Sequence, residues 1–334
     1  MSRQPLRILL AMLAVLTLSA FVIACGDEDE PAGGSPPTTE ETDGALSAAE
    51  KAQNKIEPVS GASGTTVTVG SKNFTEQYVL GEIYAQALKA AGYNVKTDLK
   101  LGSEVIAHQA LKQGEIDGYP EYTGTALTSF FDMEVPDVPK DPQQAYAAAK
   151  AAYAKENITA LAPTPFENTY RLGMLKEKAE ELGVTKTSDL QGKASKLRIT
   201  GYPECRQRVD CLLGVERTYG LKFGRFVSSN QPYTVLDGGD ADVAFLFTTD
   251  GQLASDKYTL LEDDKSLFPP YNISFTIRDD ALQRIGDGGK RVIESVQKYM
   301  TEDIMQELNA RVDVDKEKPA EAARSYLKFH GFTS

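Results

Sequence analysis

Seven side chains between Lys72 and Tyr271 have the types needed to hold a small zwitterion. They are the aromatics Tyr122, Tyr170, Phe247 and Tyr271, the cations Lys72 and Arg208, and the hydroxyl of Thr125. Four aromatics with two cations suit a molecule that has a bulky cation at one end and a carboxylate at the other. A quaternary ammonium has no N–H to donate, so a carboxylate partner would lose its own hydration for little directional gain. Aromatic faces carry the negative end of the ring quadrupole without that desolvation cost, each contributing on the order of 1–2 kcal/mol. Several faces together account for micromolar binding, about 8 kcal/mol. A carboxylate clamp from Lys72, Thr125 and Arg208 adds selectivity. Arg206 lies in the same loop as Arg208 and is the alternative cation there.

The elements that must position these residues centre on Glu115-Ile-Asp-Gly-Tyr-Pro-Glu-Tyr-Thr-Gly-Thr125. A helix over Glu104–Gln113 ends at Gly114, which tolerates positive φ. Ile116–Tyr119 then reads as a brief buried strand, with Tyr119 as core support and a helix starting at about Ala126. Open α/β sheets bind ligands at the carboxyl ends of such strands, beside helix N-termini. Upstream, Thr66–Gly70 alternates as a first strand. Asn73 and Glu76 have the spacing of a capping box before a helix, and Val95–Leu99 is the next strand. Asp141-Pro142 opens a helix to about Lys155, and a strand near Ile158–Leu161 follows.

Pro163-Thr-Pro165 interrupts the pattern. A second series then brings strands at Thr169–Leu175, Leu197–Thr200, Phe223–Val227 and Val243–Phe247, with helices at Lys176–Leu182, Asp210–Tyr219 and Thr248–Ser255. Pro269-Pro270 interrupts again, before a strand from Ile273 and helices near Lys290–Met300, Glu302–Ala310 and Pro319–Phe329. This order predicts an α/β protein of two lobes, each a largely parallel sheet flanked by helices, joined by a two-strand hinge. Residues 66–166 and 271–334 form one lobe and 167–270 the other. A faint internal echo accompanies it: Gly114, Asp117, Tyr122 and Thr123 match Gly239, Asp242, Phe247 and Thr248 at a constant offset of 125 residues. The echo predicts that each lobe presents an aromatic at a corresponding strand end.

The net charge of −12 and the lack of a basic patch argue against nucleic acid as a partner. More than half of that surplus lies in residues 26–64, which hold nine acidic side chains against two lysines. Residues 1–25 read as a signal peptide, with Arg3 and Arg7 ahead of the apolar run Ile8–Ile23. The run ends in Val-Ile-Ala-Cys25, which resembles a lipobox and predicts lipidation of Cys25. Residues 26–65 have the composition of a disordered, charged tether, with a transient helix near Leu46–Lys55. The chain is thus expected to be lipid-anchored on the extracytoplasmic face of a bacterial cell membrane. Cys205 and Cys211 remain as an even pair on the oxidising side and suit a local disulfide. Two cysteines without a nearby histidine make a poor zinc site, and neither metal nor cofactor is expected.

Val69-Gly-Ser-Lys-Asn-Phe-Thr-Glu-Gln77, Tyr119-Pro-Glu-Tyr-Thr-Gly-Thr125, Thr248-Thr-Asp250, Leu261-Glu-Asp-Asp-Lys265 and Pro269-Pro-Tyr271 resemble the osmoprotectant (glycine betaine/choline type) substrate-binding proteins of ABC importers. Gln306-Glu-Leu-Asn309 and Val312-Asp-Val314 fit as well, so the similarity covers about Val67 to Gly331. The resemblance implies the two-lobed periplasmic-binding-protein fold (type II), which closes over its ligand by hinge motion. It implies a monomer that hands a small quaternary amine to permease subunits. Its cage positions fall on Tyr122, Tyr170, Phe247 and Tyr271, and its carboxylate-binding positions on Lys72, Thr125 and Arg208. Asn168 falls where a backbone carbonyl approaches the methyl groups. Phe247 stands in place of a family tyrosine. The cysteine pair around Arg208 is a second departure. An extracytoplasmic sensor with the same fold, or a site for another small zwitterion such as an amino acid derivative, is the alternative. An enzyme is not expected: the two histidines, His108 and His330, lack motif neighbours, and Gly-x-Ser-x-Gly, P-loop and His-Glu-x-x-His patterns are absent.

Overall fold

The computed structural model describes residues 47–334. The signal peptide and Cys25 lie outside the described residues. The expected tether, residues 26–65, is too long at its C-terminal end. Ser47 and Glu50 close a capping box at the start of α1 (Ala48–Asn54). From there the chain is fastened to the body: Ile56 N–H donates to Phe332 O at 3.0 Å and Val59 N–H to Ala91 O at 2.9 Å. Ile56 and Val59 pack on the core and Ala62 is buried. These few apolar side chains supply burial that composition averaged over the whole stretch concealed.

The elements follow as β1 (Thr66–Gly70), α2 (Thr75–Ala90), β2 (Asn94–Asp98), α3 (Glu104–Gln113), β3 (Gly118–Tyr122), α4 (Thr123–Ser129), α5 (Pro142–Ala154) and β4 (Ile158–Glu167). Then come β5 (Tyr170–Leu175), α6 (Lys176–Leu182), β6 (Arg198–Gly201), α7 (Leu212–Tyr219), β7 (Arg225–Ser228), α8 (Pro232–Asp237), β8 (Val243–Phe247) and β9 (Tyr258–Leu260). The chain finishes with β10 (Asn272–Arg278), α9 (Asp279–Gln297), α10 (Glu302–Asp313) and α11 (Pro319–Phe329). Two five-stranded sheets result, ordered β2-β1-β3-β10-β4 and β7-β6-β8-β5-β9. In each, three strands run parallel and the last two are antiparallel to their neighbours.

The first sheet packs through Val67 and Val69 of β1 and Ile273, Phe275 and Ile277 of β10, all buried. Leu80, Ile83, Tyr84 and Ala87 recur at helical period on the face of α2 turned to that core. Each fully buried aliphatic among them contributes on the order of 2 kcal/mol.

Several boundaries differ from expectation, each with a local cause. The strand expected at Ile116–Tyr119 is β3, two residues further on and containing Pro120. Beyond Gly118, which pairs with Val69, β1 no longer runs alongside, so the missing N–H of Pro120 leaves no ladder bond broken. Pro163 and Pro165 do not end β4; they sit on an edge strand whose register with β10 slips there. Asn73 does not cap α2. The N-cap residue is Phe74, and the Glu76 carboxylate points elsewhere. The helix expected at Thr248–Ser255 is a single 3₁₀ turn, Gly251–Ala254. The short elements α8 and β9 carried no recognised signal.

Candidate functional site

The ends of β3 and β8 and the loops preceding β5, α7 and β10 converge on one cavity, and all eight expected binding residues line it. Lys72 comes from the turn after β1, Tyr122 ends β3, and Thr125 sits in the first turn of α4. Asn168 and Tyr170 bracket the passage from β4 into β5. Tyr170 lies directly opposite Phe247 in the β5–β8 ladder. Tyr271 precedes β10. Gly124 lets that segment approach, because a Cβ there would stand 2.8 Å from Pro270 O and 3.0 Å from the Tyr271 ring. Arg208 is carried by a loop that the Cys205–Cys211 disulfide closes, with Cα atoms 5.3 Å apart. Arg206 is exposed and lies against the Phe226 ring at 5.1 Å, away from the cavity.

Four rings form a column. Tyr170 stacks on Phe247 at 4.4 Å, Phe247 on Phe74 at 5.6 Å and Phe74 on Tyr122 at 6.2 Å. Tyr271 meets Tyr170 edge-on at 6.3 Å, and Tyr202 leans on Phe247 at 5.9 Å. Phe74 and Tyr202 went unrecognised in the sequence. The signal for Phe74 was present: a large aromatic occupies a helix N-cap position, where a hydrogen-bonding side chain is usual.

The cations are deeply paired. Lys72 makes a buried ion pair with Glu121, and its ammonium lies 4.4 Å from the Tyr122 ring centre. Arg208 engages Asp210 through Nε, at 2.8 Å, and through Nη2, while Nη1 reaches Glu104 at 3.2 Å. Its Nη2 also approaches Thr125 Oγ1 at 3.5 Å, and its guanidinium carbon is 5.8 Å from the Tyr170 ring centre. Burial would push the Asp210 carboxyl up, but Arg208 and the Tyr271 hydroxyl hold it below the usual carboxylate range. Burial, with the Asp210 charge beside it, pushes the Tyr271 phenol well above its ordinary value. Tyr271 therefore stays a neutral donor to Asp210, at 2.6 Å.

A further carboxylate, also missed in the sequence, ties the cavity wall together. Glu76 accepts from Tyr122 Oη at 2.6 Å, Asn168 Nδ2 at 2.9 Å, Asn309 Nδ2 at 3.2 Å, and the hydroxyl of Thr249. One side chain at the start of α2 thus holds a cavity aromatic, the β4–β5 passage, the turn after β8 and α10.

Among known proteins, the profile of the family described as the substrate-binding domain of the ABC-type glycine betaine transport system matches residues 65–328. A glycine-betaine-binding protein of Pseudomonas aeruginosa is 32% identical over 282 residues, covering 80% of this chain and 89% of its own. The carnitine transport binding protein OpuCC of Listeria monocytogenes is 27% identical over 81% of this chain and 89% of its own. A solved structure described as a glycine betaine/carnitine/choline ABC transporter superposes with a TM-score of 0.65 at 27% identity, over 79% of this chain and 98% of that one. The two mixed sheets are those of the type II periplasmic binding proteins, as the sequence motifs implied. The chain belongs to the OpuAC family, the substrate-binding domains of ABC-type glycine betaine transport systems, which are transport components and not enzymes.

Proposed function

We propose that this protein captures a quaternary-ammonium osmolyte in the aromatic cavity and delivers it to the permease of an ABC importer. The observation that carries the reading is convergence: Tyr122, Tyr170, Phe247 and Tyr271, spread over the chain, line a single cavity. In this reading the four rings supply the faces that hold a trimethylammonium group, and the Asn168 backbone meets its methyls. Lys72, Thr125 and Arg208 stand at the polar end of the ligand. The lobes comprise residues 66–166 with 271–334, and residues 167–270, and they close on one another over the bound molecule. The protein acts as a monomer outside the cytoplasmic membrane, held there by lipid on Cys25, the first residue left after removal of residues 1–24. Residues 26–46 serve as the tether.

The test is calorimetric titration of the full chain with glycine betaine, proline betaine, carnitine and choline. Saturable micromolar binding of at least one supports the cage. Binding of none of the four overturns it.

A further inference from the structure

The charges around the cavity do not balance. Lys72 and Arg208 line it, and so do Glu104 and Glu204. Glu121 and Asp210 stand directly behind as the partners of Lys72 and Arg208. Four carboxylates thus meet two cations in one desolvated place. Burial pushes the Glu204 carboxyl up. The Glu104 charge adds to that, against the pull of its own backbone N–H, Arg208 and Lys72.

Each cation already has a buried carboxylate partner. Glu121 is held on Lys72 by two further donors, Tyr119 Oη at 2.8 Å and Tyr122 N–H at 2.7 Å. On Arg208, Asp210 is bidentate and also accepts from Tyr271 and Thr128. Glu104 takes the remaining side of the guanidinium through one nitrogen. It is therefore the carboxylate that a ligand carboxylate would have to displace to pair with Arg208. Once displaced, it would remain buried beside Glu204 without a partner, the costly outcome for a buried ion pair. A ligand hydroxyl imposes no such exchange. It donates to Glu104 or Glu204 and leaves both ion pairs whole.

We infer that Glu104 is a specificity-determining residue that selects quaternary amines with a neutral hydroxyl tail, the choline class, over those ending in a carboxylate, the glycine betaine class. The inference rests on the cage reading above. It converts the expected carboxylate clamp of Lys72, Thr125 and Arg208 into an internal ion-pair wall.

The experiment titrates the full chain with choline and with glycine betaine, then repeats both on Glu104→Gln. The expected result is choline binding at least tenfold tighter in the unaltered protein. In the variant that ratio should fall at least tenfold, chiefly through a gain for glycine betaine, because one side of Arg208 is freed. Glu104→Asp, which keeps the charge, should retain the choline preference and stands in if the glutamine variant does not fold. Tighter binding of glycine betaine by the unaltered protein overturns the inference and leaves the cage intact. So does a ratio unchanged in Glu104→Gln. Binding of neither ligand by the folded protein overturns the cage, and this inference with it.

Discussion

The strand leading to Tyr122 and the strand leading to Phe247 are built alike. Gly114 and Gly239 take left-handed φ of 80° and 68°. Three residues on, Asp117 and Asp242 each accept from the backbone N–H of a neighbouring strand, Thr68 at 2.7 Å and Arg198 at 2.8 Å. The strands themselves, Gly118–Tyr122 and Val243–Phe247, sit at the same place in sheets of the same order. A repeated backbone device therefore delivers one aromatic from each sheet. The difference begins just past the aromatic. Thr123 starts α4, which carries Thr125 to the cavity, whereas Thr248 enters a turn held by Asp250, which accepts from Phe247 N–H at 2.9 Å. The first sheet also surrounds its aspartate with two arginines, Arg278 at 2.8 Å and Arg284 at 2.6 Å, where the second has Arg198. The same local scaffold thus serves a tightly charge-locked half and a lightly locked one.

That contrast is open to direct attack. The largest expected effect is on stability. Asp117→Ala removes the acceptor for Thr68 N–H and the shared anchor of two arginines and should lower the unfolding free energy by about 3 kcal/mol. Asp242→Ala should cost about 1 kcal/mol, because Arg198 is 40% exposed. Equal losses in urea titrations would erase the asymmetry. Next, Tyr271→Ala should weaken quaternary-ammonium binding about 100-fold while the far-ultraviolet spectrum stays folded. Unchanged affinity would remove Tyr271 from the cage.

The third effect depends on pH. Burial lifts Asp250 to about 7, with Asp313 and Glu76 adding like charge against the hydrogen bonds from Phe247 N–H and Tyr233. The folded protein therefore keeps a proton between about pH 4 and pH 7 that the unfolded chain has released. Its stabilising contribution is full at the acid end and lost as the pH rises through about 7. Asp250→Asn should flatten this slope and raise the melting temperature at pH 8 by a few degrees, about 1 kcal/mol; an unchanged slope would assign it to other groups. Smallest is Phe247→Tyr, which restores the hydroxyl expected of the family. The π face is kept, so affinity should change less than about fivefold, and a larger change would show that the two strand ends are not interchangeable as ring donors.

Much of this was legible in residue types. The periodicity of α2, the Asp141-Pro142 start of α5, the Gly114 stop of α3 and the 125-residue echo all come from local patterns, and local patterns survive folding. The eight cavity residues were legible because aromatic and cationic types at strand ends follow a family's motif. The counter-charges were not. Glu104 and Arg208 are 104 positions apart, Lys72 and Glu121 are 49 apart, and nothing in a linear pattern announces that a surface-type residue will be buried against a distant partner. Glu76 was misread for a related reason. A capping-box spacing is a local rule, and here four side chains from elsewhere in the fold claimed the carboxylate instead. The extent of α9 was missed because Gly286, at φ 60°, breaks its helical pattern midway.

The stitching of the N-terminal segment has a mechanical side. Asn54 Nδ2 bonds His330 O at 2.9 Å, Ile56 bonds Phe332, and Val59 lies against Gly288 of α9. Tension arriving at Ser47 is thus received by α9 and by the end of α11, elements that pack against α2 and β4 of the first sheet. A pull at Ser47 would therefore be met first by the half of the molecule built on the first sheet.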